Sequence, residues 1–383
     1  MKKPKIKKSF VKKIVISLAS FVIVLFIIPY ILYIVSPSCT LYNTANYGYR
    51  KTQLTSDEEK ELQTLQKSLK NFSQPEDSSF LTFPEWHIVY SAEEYADFLK
   101  HNKPSQFPYA KSIAQYWCSY RTVSALTKNI YKYNSDDQLM LSVIGVSYTY
   151  EYAFKGLYEN TIGRVSEFLG STDTEEDRYA AVVAHEYGYS LPHSAWYNFP
   201  FGPKLIGLWT ETSFFGPHFL RKIERKFALS LEYSIKATYG WAIKNATEST
   251  YSPEATEIYL VTEDIPTELL QKEPRIKIIK NISNETTLVS LPRYDEFNTV
   301  ILKLAAQNVR ILRIGDNANI MVSLIAPKEW NYHLSKGKPL FSIDVPTNSR
   351  LKKIAVNIPV VEFSSIINKL HQEKIKIEHI YDY

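Results

Sequence analysis

Glycine is scarce in this sequence, 12 of 383 residues, or about 3% against a typical ~7%. Neither G-x-G-x-x-G nor G-x-x-x-x-G-K occurs. That excludes the phosphate-cradling loops built on those glycines. Cysteine is scarcer still: Cys39 and Cys118 are the whole complement. Two cysteines cannot make a disulfide scaffold, and they form no Cys-x-x-Cys pair for zinc or redox work. They are either one disulfide in an oxidising compartment or two unrelated thiols. No G-x-S-x-G nucleophile elbow is present. His185-Glu186 opens like a zinc-protease helix, but position 189 is Tyr189 where the second histidine would stand. Neither a metal nor a cofactor is expected.

Charge is missing from one stretch. Ile14 to Val35 carries none, whereas the thirteen residues before it hold seven lysines. Twenty-two helical residues rise about 33 Å, enough for a hydrocarbon core of ~30 Å. The stretch reads as a transmembrane helix at 14–35, with a lysine-rich cytoplasmic tail at 1–13 and the remainder outside the cytoplasm. A cleaved signal peptide is the rival, although its apolar region is usually shorter. Without the tail lysines the chain has 38 basic and 40 acidic residues, near −2. The bulk therefore has no basic excess to attract nucleic acid. The partners expected are membrane lipid through 14–35 and a protein of the envelope.

The fold expected is a membrane-anchored α+β chain. Residues 36–80 read as a connector with a helix at 56–70, and 81–250 as a mainly helical domain. Capping residues and apolar spacing predict helices from Ser91, Tyr109, Ser135, Thr174 and Gly216. From 255 to 383 β-branched runs take over. Within them Phe297–Asp316 aligns without a gap on Phe363–Asp382. Each copy reads strand–helix–strand, and two in series predict a ferredoxin-like α/β sandwich with extra strands.

Candidates for chemistry are few. Glu151 falls on the apolar stripe of the Ser135 helix, so a buried network is expected there, with Lys155, Arg121 or Arg164 as partner. Glu85 and His87 share a face if Phe83–His87 is extended, the alternative being a plain aromatic strand ending at the Ser91 cap. His185 and Glu186 complete the catalytic candidates. Trp209, Phe214 and Phe215 followed by Arg221, Lys222 and Arg225 resemble an interfacial membrane contact, or else a loop packed on helices.

Composition and motifs thus favour a single-pass envelope protein with a non-catalytic binding or structural role. An extracytoplasmic hydrolase with a buried Glu/His site is the first alternative, and a small-ligand sensor the second. An enzyme would bring these acids and histidines together in one pocket. A binding module would pair them internally and expose a broad apolar patch.

Overall fold

The structure is a computed structural model that describes residues 27, 31, 34, 39–42, 72–128, 130–170, 173–247, 256–283 and 285–382. The expected connector helix at 56–70 and most of the expected span at 14–35 lie outside these residues. Ile27, Ile31 and Ile34 are helical and exposed. No helix among the described residues is long and apolar enough to cross a membrane.

The chain is α+β. Helix α1 (Ser78–Leu99) starts well before Ser91. Phe83–His87 is therefore helical, not extended, and Pro84 is accommodated inside the helix. The burial of Phe80, Leu81, Phe83 and Trp86 outweighs the local signal. The Ser91 hydroxyl caps nothing. It bonds Ser112 and Tyr148 in the interior, at 2.8 and 2.6 Å.

Helix α2 (Tyr109–Lys128) buries Ile113, Tyr116, Trp117, Tyr120 and Val123, the face its spacing predicts. Helix α3 (Ser135–Tyr158) is capped by Asn134, whose side chain accepts the Asp137 N–H at 3.2 Å. It crosses α2 closely because Gly145 has no side chain: a Cβ there would collide with the Tyr116 ring. A π turn at Glu159–Gly163 leads into α4 (Arg164–Leu169). Thr174 and Asp177 cap each other at the start of α5 (Glu175–Ser190). The aromatic stretch after it forms α6 (Phe201–Thr210), and α7 runs from Phe219 to Thr247.

After these helices come two antiparallel sheets. The first has the order β3-β4-β2-β5, from β2 (Glu257–Glu263), β3 (Lys277–Asn281), β4 (Thr286–Pro292) and β5 (Ile311–Ile314). Short helix α8 (Thr267–Lys272) follows β2. The second is β1-β7-β8-β6-β9, from β6 (Asn319–Pro327), β7 (Lys338–Val345), β8 (Asn348–Pro359) and β9 (Lys376–Tyr381), with β1 (Thr40–Leu41) on its edge. Without β1, the second order is the first repeated four strands later.

In each copy the last two strands flank one antiparallel strand, so they run parallel, and a helix makes the crossover. The helix is α9 (Asp295–Ala306) in one and α10 (Phe363–Gln372) in the other. The expected ferredoxin-like arrangement is thereby corrected: each copy has a sheet of its own. The sequence repeat covers only a helix and its following strand, and in each copy a first strand and a hairpin (β2 with β3–β4, β6 with β7–β8) supply the others.

Both sheets turn one face to a shared core with α9 and α10, including Ile258, Leu260, Val289, Leu304, Ile320, Val322, Val356 and Leu370. Strand alternation sends the intervening residues of the second sheet the other way. Met321, Phe341, Ala355 and Tyr381 pack against α1 and α2. Ser79 ties the layers by donating to the Tyr381 carbonyl at 2.9 Å and accepting the Met321 N–H at 3.0 Å.

Candidate functional site

Helix α7 carries two opposed faces. Leu220, Ile223, Phe227, Leu231 and Ile235 recur at three- and four-residue spacing, and so do Arg221, Lys222, Arg225, Lys226, Glu232 and Lys236. A surface helix of a globular domain normally hides the apolar face. Here the arrangement is inverted. Leu220 is 65% exposed, Phe227 64% and Ile235 59%, whereas Arg221 is 0% exposed.

The buried charges survive because every one is paired. Arg221 meets Asp177 at 2.7 Å and Glu224 at 3.1 Å. Arg225 meets Glu159 at 2.9 Å and Glu224 at 2.7 Å. Lys222 bridges Glu175 and Glu176, and Lys226 reaches Glu176 at 3.2 Å. Further along, Glu232 accepts from Lys155 at 3.1 Å and Lys236 at 3.2 Å. Burial opposes its charge, but those two ammonium groups hold the Glu232 carboxyl down at about 2. Removing such charges from water costs several kcal/mol each, and only close pairing offsets it. The π turn serves the same network by carrying Glu159 to Arg225.

These contacts also align the helices. Along α7, Glu224 meets Tyr158 and Ser166, Glu232 meets Lys155, and Lys236 meets Glu151. The α3–α4 segment therefore runs antiparallel to α7. It bears its own exposed stripe: Met140, Val143, Phe154, Leu157, Ile162, Val165 and Phe168. Ile206, Trp209, Phe214, Phe215 and Phe219 extend the apolar surface. So many large apolar side chains left exposed on neighbouring helices mark an interaction surface rather than the singly scattered residues of an ordinary monomer.

The expected interfacial contact is thus half corrected. Trp209, Phe214 and Phe215 are exposed, but Arg221, Lys222 and Arg225 are buried and bound to carboxylates. Their spacing turns them toward the acids of α3–α5, out of reach of lipid headgroups.

The catalytic candidates do not converge. Glu151 is on the outer stripe, its side chain 40% exposed, paired with Lys236 at 2.7 Å. The buried network expected around it is centred instead on Glu232 and Glu159, and Lys155 serves Glu232. Arg121 donates to the Ile34 carbonyl at 3.1 Å. His185 is exposed, and Glu186 pairs with Lys204. His87 is buried, and its Nε2 lies 3.0 Å from the Ser112 carbonyl. Burial, then Lys353, lower its pKa to about 3. In a helix Glu85 and His87 point apart, so they form no acid–base pair. Cys39 and Cys118 are joined in a disulfide, their Cα atoms 5.5 Å apart.

Glu85 faces a cluster that local sequence could not indicate, because its members lie about 50 to 300 residues away. Burial and then the Asp382 charge push its carboxyl up to about 7, while Arg293 opposes. Asp382 accepts from Arg293 Nε at 2.9 Å and from the Tyr294 N–H at 3.3 Å. Tyr294 adopts φ 66° and ψ −137°, a region that costs a side-chain-bearing residue of order 1–3 kcal/mol.

Among the described residues no group of three or more His, Cys, Asp or Glu side chains is placed to hold a metal ion. Comparisons with models of known families, with curated proteins and with solved structures found no match.

Proposed function

We propose that this chain is a single-pass, membrane-anchored envelope protein whose helical part seats its apolar face in the adjoining leaflet outside the cytoplasm. Its role is non-catalytic binding or structure. The observation that carries the reading is the inverted α7, apolar toward the outside, with its charges buried within beside Leu229 and Tyr233. From Phe219 to Ile243 no exposed residue of α7 is charged. Helices with one long apolar face and the other face satisfied lie in the bilayer interface.

Three features favour lipid over a protein partner. Cys39 follows the uncharged 14–35 run by four residues, a span of roughly 14 Å at most, and is bonded to Cys118. Residues 40–41 then pair with β7, so the emerging chain is pinned to the domain at once. Ile27, a residue of that run, shares a cavity with Ser142 and Val146 of α3, near the start of the apolar stripe. The hydrolase alternative needs its acids and histidines in one pocket, and they are dispersed.

The test uses nitroxide labels on the full-length protein in lipid nanodiscs, at Phe154 and Val165 on the α3–α4 stripe and at Phe227 and Leu231 on α7. Greater accessibility to oxygen than to a water-soluble nickel complex is the expected result. Water-exposed labels would overturn the reading, as would spin–spin broadening from a second copy.

A further inference from the structure

A second region of the molecule has the makings of a binding site. A cavity of ≈ 650 Å³ lies between α2, the start of α3 and Ile27. That volume falls within the roughly 300–1,000 Å³ of small-molecule sites. Trp117, Tyr120, Val146 and Ile27 line it. The polar tips of the aromatic walls are already used: the Trp117 indole N–H donates to Thr149 Oγ1 at 2.8 Å, and the Tyr120 hydroxyl to the Gln138 carbonyl at 3.1 Å. The walls therefore present carbon to an occupant.

The opening has a different character. Lys128 and Lys132 line the cavity and are exposed, so they stand at its mouth. Neither has an ion-pair partner among the described residues, in a helical part whose buried lysines are all paired. The acid on the wall is Asp77, which is buried and set back from the two lysines' exposed positions.

We infer that this cavity binds an anionic amphiphile, with one alkyl chain along the aromatic wall and its negative headgroup between Lys128 and Lys132. The chemistry fits a free fatty acid or one chain of an anionic phospholipid. The inference stands on the cavity and its rim, not on insertion of the α7 face, and the two can fail separately.

Full-length protein in phosphatidylcholine nanodiscs is exposed to either of two photoreactive probes, a diazirine fatty acid or a phosphatidylglycerol with a diazirine chain. Adducts are mapped by peptide mass spectrometry. Adducts within residues 117–146 are expected, and the probe giving them identifies the source. Lys128→Glu combined with Lys132→Glu lowers their yield about five-fold, the size expected for two partly exposed charge contacts. Val146→Trp, which fills the cavity, does so as well. The charge-reversal pair lies on the surface and keeps the test valid if the Trp variant does not fold. No adducts in this segment with either probe would overturn the inference, as would adducts unchanged in the charge-reversed protein. Neither result bears on the accessibility of labels at Phe227.

Discussion

The helical part and the sheet part solve the burial problem in opposite ways. In the sheet part α10 hides Phe363, Ile366, Ile367 and Leu370 and shows Ser365, Lys369 and Gln372. In the helical part α7 hides Arg221, Lys222, Arg225 and Lys226 and shows Leu220, Ile223, Phe227 and Leu231. Both helices are strongly two-faced. The contrast shows that amphipathicity fixes which residues share a side, not which side is turned inward. The environment decides that, and for α7 it includes a row of acids on α3–α5.

The sharpest way to break the contrast is to strip the charged interior. Glu232→Leu leaves Lys155 and Lys236 buried beside each other, and a loss of about 3–5 kcal/mol is expected in denaturant unfolding. If the charges inside the helical part were only ornamental, the loss would be near zero. The matching change in the sheet core, Leu304→Ala, opens a cavity and costs about 2–5 kcal/mol through lost packing. A further separation comes from pH.

Glu85 has a folded-state pKa of about 7, above its unfolded value of about 4.3. Its contribution is complete below that unfolded value and is lost as pH rises through 7. Glu85→Gln should therefore abolish a fall in stability of about 1–3 kcal/mol between pH 4.5 and 8. Glu232, with its depressed pKa, works in the other direction, and its contribution is lost as pH falls from about 4.5 toward 2. The smallest expected effect is at the exposed stripe. Phe227→Ser should change stability by less than about 0.5 kcal/mol, while reducing retention on phosphatidylcholine vesicles. A core-sized loss there would mean that Phe227 is buried in the free protein and the inversion is false.

Much of this was legible in the sequence. The helix faces followed from spacing, as in α2, and the Thr174 cap from a side chain placed three residues before an acid. The repeat was visible because strand and helix positions in its two copies face one shared core and keep the same residue types. Three features were not legible. Helix α1 runs through Phe83–His87, which local sequence reads as extended, because its burial is tertiary. The stripe containing Glu151 faces outward although its spacing fits a core face, since periodicity carries no sign. The Glu85 cluster depends on Asp382 and Arg293, brought in by sheet topology alone.

The repeated sheets have a consequence for how the chain can be divided. The residues that seal the common interior come in comparable shares from either side of the Asp316–Asn319 junction. Neither share encloses itself. A break at that junction would yield two obligate complements, each needing its counterpart to exclude water, so the smallest cooperative unit of this region is the pair.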